Sequence, residues 1–302
     1  MYSPNGANPK LAGGLRTKGL FTARAEMRTP LVSVITVVRN GERHLENTIQ
    51  SVLQQTYGNI EYIIVDGGST DGTLEIIRKH DDQVAYWISE PDSGIYDAMN
   101  KGIEMSTGNI IGIINSDDWY EPDSVQAAVD CFARDPEIGL VHGDVRVWRQ
   151  DGGIETIIAP RLDKYSLYVS SPLNHASCFV SRDVYSRYGT FNAKYQIVGD
   201  YELILRLHKH RVKSFYLPRI VANVRMGGVS NRPGSIAKVL RESYDAKRSL
   251  GYNRWASVAG YSYVMIKTTV FQMLRRCHLS AAIAFYRKHL SRHHRMSPKR
   301  GE

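Results

Sequence analysis

The chain has 302 residues, 42% of them hydrophobic and 23% charged. That is enough for one large domain or two small ones, and too evenly mixed for wholesale disorder or a polytopic membrane protein. The formal charge of +9 sits at the ends, with five bases to one acid in residues 1–30 and eight to one in residues 275–302, leaving 26 bases against 28 acids in between. A nucleic-acid-binding body is therefore not expected, and no such motif accompanies the basic ends. Cys131, Cys178 and Cys277 are far apart and form no CxxC, which excludes a zinc ribbon or dense disulfide framework and fits a reducing compartment.

Residues 1–29 show no sustained period and no apolar core of a secretory signal, so a flexible basic leader is expected there. The body opens with a β-branched strand, Leu31–Val38, followed by a helical pattern at Leu45, Ile49, Val52 and Leu53. Ile60–Val65 is a second strand, and a helix opening at Thr70–Asp71 carries Leu74, Ile76 and Ile77. Val84–Ser89 (strand), Tyr96–Met105 (helix), Ile110–Ile114 (strand), Val125–Phe132 (helix) and Ile138–Val141 (strand) continue the alternation. Apolar strands alternating with helices imply an α/β fold with a parallel-rich sheet covered on both faces. Beyond it come short strands at Val145–Trp148, Cys178–Val180 and Val212–Tyr216, a helix over Asp200–His208, and a helical region from about Ala237.

The strands end on polar groups: Arg39-Asn40, Asp66-Gly-Gly-Ser69 and Asn115-Ser-Asp-Asp118. Ligands of open α/β sheets bind at the carboxyl ends of the strands, so three strands deliver amides and carboxylates to one edge. A capping or turn role is the ordinary alternative for Asp66 alone. Adjacent carboxylates such as Asp117 and Asp118 repel, and hard oxygen ligands suit Mg²⁺ or Mn²⁺ shared with phosphate oxygens. No P-loop and no GxGxxG is present. A nucleoside diphosphate fits better, its base read by Asp66 and its charge neutralised by a metal at Asp117.

Val32–Thr36 with Asn40, Asp66-Gly-Gly-Ser-Thr-Asp-Gly72, Ser89–Gly102 and Asn115–Asp118 resemble the family 2 glycosyltransferases, and most closely their bacterial exopolysaccharide and lipopolysaccharide (colanic-acid-type) branch. The resemblance runs from about Pro30 to Ser230. It implies a GT-A fold, a mostly parallel nucleotide-diphospho-sugar-binding sheet flanked by helices, over residues 30–230, with a helical basic extension over 231–302. It implies a nucleotide-sugar donor, most simply a UDP sugar read by Asp66, and inversion at the anomeric carbon. Asp117 matches the metal-binding member of the DxD-type motif, with Asp118 beside it and Asn115 at the motif's first position. Val198-Gly-Asp200-Tyr-Glu resembles the family's ED-type motif, which makes Asp200 the catalytic base, although a helix N-cap is its ordinary role. Gly199 stands where the pattern has Glu, and Arg39 where it often has an aromatic. Asn174-His175 and Gly227-Gly228 also match, which places His175 and Gly228 near acceptor or diphosphate.

The expected chemistry is direct displacement, with Asp200 taking the acceptor's hydroxyl proton and a divalent ion stabilising the leaving diphosphate. The expected acceptor is a glycan or lipid-linked saccharide at the cytoplasmic face of the inner membrane. Trp255–Leu274 is too diluted for a membrane span, but with Arg275, Arg276, Arg287 and Lys288 it suits peripheral attachment to anionic lipid. A nucleotidyltransferase and a silent membrane-surface binding module are the competing functions. Release of nucleoside diphosphate from a nucleotide sugar separates the enzyme from the silent module.

Overall fold

The computed structural model describes residues 11–21, 29–160, 162, 166–169, 171–227, 234–276 and 294–295. In chain order the first half contains β1 (Leu11–Gly13), β2 (Val32–Val38), α1 (Leu45–Leu53), β3 (Ile60–Asp66), α2 (Thr73–Lys79), β4 (Tyr86–Ser89), α3 (Ile95–Met105), β5 (Ile110–Asn115) and β6 (Trp119–Tyr120). The second half contains α4 (Ser124–Arg134), β7 (Leu140–Trp148), β8 (Ile154–Ile158), α5 (Ser166–Val169), a 3₁₀ turn (His175–Ser177), β9 (Cys178–Ser181), α6 (Arg182–Tyr188), α7 (Gly199–Lys209), β10 (Ser214–Arg225), α8 (Ile236–Ser249), α9 (Arg254–Arg276) and β11 (His294–Arg295).

All seven residues of β2 are buried, because the sheet is covered on both faces. Val32 and Val34 point into one apolar cluster with Ile49 and Val125, while Ile35 and Val37 join Met99, Ile111 and Leu203 in another. A two-residue side-chain period feeding two cores explains why the strand reads as an unbroken apolar run.

The sheet order is β1-β4-β3-β2-β5-β9-β7-β10-β6, with β8 on β7 and β11 on β8. Strands β4-β3-β2-β5 are parallel, as is the β7–β10 pair. The other pairings are antiparallel, so the parallel character expected of the sheet belongs mainly to its β4-β3-β2-β5 half. β9 enters antiparallel between β5 and β7 and carries the preceding turn, with His175, to the end of β5.

Two expectations change. The leader was expected to be flexible, but Leu11–Gly13 pairs with β4 along the sheet edge. Arg16 then reaches the Glu61 carboxylate, which is fully buried on β3 and also bonded by Ser33 Oγ and Thr107 N at 2.5 and 2.7 Å. A buried carboxylate needs such partners, and the cation comes from a segment with no readable period. The short strands expected at Ile138–Val141 and Val145–Trp148 form one, β7, because its parallel ladder with β10 runs on from Leu140 to Trp148 with register shifts near Pro218. Cys131 and Cys178 are buried and unpaired, and Cys277 lies outside the described residues.

Candidate active site

The ends of β2 and β3 are laced together. Asn40 is in the left-handed region at φ 52°, donates its N–H to Ser69 Oγ at 2.7 Å, and accepts the Thr70 N–H at 2.9 Å. Asn is among the few residues that adopt this conformation readily, which is the local reason for Asn at that position. Asp66 is fully buried, and its carboxylate accepts Ser89 Oγ at 2.6 Å, the Ser69 N–H at 3.1 Å and the Ser69 hydroxyl. Asp66 therefore performs the turn-bracing role and also stands at the strand end. Arg39 beside it is exposed.

After β5 the two adjacent carboxylates part. Asp118 is 3% exposed and accepts the Arg225 backbone N–H at 3.0 Å and Asn115 Nδ2 at 3.3 Å. Burial and the neighbouring Asp117 charge push its pKa well above the usual carboxylate value. Asp117 is half-buried, and no hydrogen bond or ion pair holds its side chain among the described residues. Arg225 lies with its guanidinium 4.8 Å from the Trp119 ring, and its buried Nε has no partner among the described residues. His44 lies within the fields of Arg225 and Asp117, its pKa lowered by burial, then by Arg225 and Arg43. Arg225 carries no signal in the sequence, because the strand expected at Val212–Tyr216 extends as β10 to Arg225.

Asn115 links this group to the other side of the cleft. Its Oδ1 lies 3.4 Å from His175 Nε2, and His175 Nδ1 lies 3.6 Å from Asp200 Oδ2. Asn174 accepts the Ala176 N–H at 3.0 Å and fixes the turn that presents His175. The N-cap of α7 is Val198, so Asp200 is not the cap but sits within the first turn, accepting the Tyr201 N–H at 2.8 Å. Tyr96, at the start of α3, donates to Asp200 Oδ1 at 3.0 Å and to the Ile197 carbonyl at 2.7 Å. Burial raises the Asp200 pKa, but the His175 ring, the Tyr201 N–H and the Tyr96 hydroxyl more than offset it, so the carboxyl is held below its usual value. Tyr96 lies within the Ser89–Gly102 motif, but nothing in its spacing points to Asp200, 104 residues away.

Gly199 also gains a reason. A Cβ there would lie 2.7 Å from Tyr96 Cδ2, so a side chain cannot stand before Asp200 without moving the tyrosine. Arg39, Asn40 and Asp66 thus share one edge, and Asp118, Asn115, His175 and Asp200 form a connected row beside it, with Asp117 next to Asp118 in the chain. Gly228 lies outside the described residues.

A hard divalent cation fits this donor set. Among the described residues no group of three His, Cys, Asp or Glu is placed to hold a metal, so the protein's offer is the Asp117 carboxylate, with Asp118 behind it. Ions such as Mg²⁺ commonly take one or two carboxylates and complete their shell with substrate phosphates and water.

A family model, "Glycosyl transferase family 2", matches residues 33–189. An uncharacterized glycosyltransferase of Mycobacterium tuberculosis is 34% identical over 185 residues, spanning 59% of this chain and 68% of that protein. Among solved structures, Staphylococcus aureus TarS in complex with UDP-GlcNAc aligns with TM-score 0.59 and 15% identity, over 78% of this chain and 71% of that one. The Pyrobaculum calidifontis mannosyltransferase PcManGT, in complex with GDP-Man and Mn²⁺, aligns with TM-score 0.58 and 20% identity, over 86% and 82%. The shared fold is the GT-A fold.

Proposed function

Because the chain belongs to glycosyl transferase family 2, and so is an enzyme that transfers sugars, we propose that it moves a sugar from a nucleoside-diphosphate donor, most simply a UDP sugar, to a saccharide or lipid-linked hydroxyl with inversion. Family membership sets aside the nucleotidyltransferase and silent-module alternatives. The observation that carries the proposal is the Asn115–His175–Asp200 row, which joins the diphosphate side of the cleft to a single ionised carboxylate.

In this mechanism Arg39, Asn40 and Asp66 hold the nucleoside at the ends of β2 and β3, while Asp117, with Asp118 and Asn115 beside it, would hold Mn²⁺ or Mg²⁺. The ion supplies positive charge to the leaving diphosphate. Asp200 Oδ1 accepts from Tyr96 and from the Tyr201 N–H, while Oδ2, with the His175 ring 3.6 Å away on one side, takes the acceptor's proton. One base on one face of the sugar is what inversion needs, by the geometry that separates inverting from retaining glycosidases. His175 and Tyr96 hold the Asp200 carboxylate in place, which matters because misplacing a reacting group by about 1 Å can cost roughly 100-fold. A donor screen with Mn²⁺ and Mg²⁺, reading free nucleoside diphosphate in the presence of a lipid extract as acceptor source, tests the class. Asp200→Asn tests the mechanism.

The role belongs with cell-envelope glycans of the exopolysaccharide or lipopolysaccharide kind, made at a membrane surface. No helix among the described residues is long and apolar enough to cross a membrane. On α9, Trp255, Ile266 and Met273 are 76%, 65% and 60% exposed. Spacings of eleven and seven residues put them on one line of the helix. Such a stripe on the basic C-terminal extension, proposed as a unit over residues 231–302, suits peripheral attachment to anionic lipid. Partitioning of the protein with vesicles rich in phosphatidylglycerol, lost in Trp255→Ser/Ile266→Ser, checks this.

A further inference from the structure

Beside Asp200 lies a cavity of about 370 Å³, within the size range of small-ligand sites. Its walls come from β7, β8, α7, α8 and α9 and are mainly apolar, with Val145, Leu173, Val239 and Val264 among them. Among the described residues two charged side chains reach it, Asp200 and Lys247. Lys247, on α8, is 3% exposed. Its Nζ donates to the Tyr168 carbonyl at 2.8 Å and lies 6.0 Å from the Tyr201 ring, and no carboxylate pairs with it among the described residues. An ammonium carries three N–H donors, so one carbonyl and one ring face leave most of its capacity unused. A buried cation without a counter-charge is costly, and folds rarely keep one unless something compensates it. Burial pushes the Lys247 pKa down to about 8.

We propose that this cavity is the acceptor subsite and that Lys247 is its specificity-determining residue, binding an anionic oxygen group, carboxylate or phosphate, on an acceptor with an apolar body. This rests on Asp200 facing the acceptor. The two charges divide the work, the carboxylate taking the reacting hydroxyl and the ammonium fixing the anion. At a buried ammonium on a mainly apolar wall that attraction is stronger than in bulk water. The anion can be the carboxylate of an acidic sugar or the phosphate of a lipid carrier.

The test measures binding of octyl phosphate, octanoate and octanol to the full-length protein by titration calorimetry. These probes share a tail and differ only in the head group. Wild-type protein is expected to bind one or both anions at least about tenfold tighter than octanol, a ratio equivalent to about 1.4 kcal/mol. The tighter anion identifies the source, phosphate or carboxylate. Lys247→Met and Lys247→Gln are expected to remove the preference, and Lys247→Arg to keep most of it. Val264→Trp, which fills the cavity, is expected to abolish binding of all three. Equal binding of anions and octanol by wild-type protein, a preference surviving in Lys247→Met, or octyl phosphate binding unaffected by Val264→Trp would each overturn the proposal. Asp200→Asn is expected to leave the probe preference in place, so loss of transfer in that variant speaks only to the base and leaves the subsite tested separately.

Discussion

The two sides of the cleft are built by different means. The side where we place the nucleotide is a set of parallel strand ends tied by short polar bonds, Asn40 to Ser69 and Thr70, Asp66 to Ser69 and Ser89, and Glu42 to Gly72 at 2.8 Å. The side where we place the acceptor is a mainly apolar cavity walled by helices and strands that are distant in sequence, with the charges of Asp200 and Lys247 in it. A donor shared by many transferases suits a rigid polar edge. An acceptor particular to one enzyme suits a pocket whose walls vary with helix packing. The contrast also explains why the connected row matters, since Asn115 and His175, with Tyr96 from α3, tie the strand-end side to Asp200.

Apart from loss of the Asp200 carboxylate itself, the largest expected effect falls at the strand ends. Asp117→Asn should lower metal-supported transfer by roughly 100- to 1,000-fold, the magnitude of losing one preorganised electrostatic group, with an unchanged thermal midpoint. Nucleoside-diphosphate release across a Mn²⁺ titration measures it, and normal activity at ordinary Mn²⁺ would break the assignment. Next is the sheet edge, where Arg16→Met strands the buried Glu61 charge and should cost about 3 kcal/mol in urea unfolding. A cost near zero would return residues 11–21 to the status of a loose leader. Gly199→Val drives a side chain into Tyr96 and should cost about 1–3 kcal/mol of stability, with kcat falling more than donor binding. The smallest effect concerns pH. Because the folded Asp200 pKa is held below its usual value of 3.8, the stability it contributes is present above that value and is lost as pH falls through the folded one. The base stays ionised throughout the same range, so kcat should show no loss attributable to Asp200 between pH 5 and 7. A limb in that window that disappears in Asp200→Glu would contradict it.

Legibility followed the same division. The β2, β3 and β5 strands show in the sequence because burial on both faces leaves a continuous apolar run, and their polar ends follow within one or two residues. Asp66 and Asp117 could be singled out because each follows such a strand, whereas Asp200 could be singled out only because the residues around it resemble the family's ED-type motif. The separate fates of Asp117 and Asp118 could not, since the burial of Asp118 depends on the Arg225 backbone 107 residues away. Tyr96 over Gly199, Arg16 on Glu61 and Lys247 in the cavity are likewise contacts between elements with no shared period. The Gly199 departure from the family pattern became intelligible only with the tyrosine ring beside it.

The central claim is that one carboxylate performs the proton transfer while other residues hold the donor. The most direct test is a side-by-side measurement on Asp200→Asn of donor binding and of sugar transfer, using the nucleotide sugar and metal selected by the donor screen. Donor affinity should stay within about twofold while transfer falls by roughly 100- to 10,000-fold, the range for removing a positioned base. Transfer near the wild-type rate with the carboxylate gone would contradict the account.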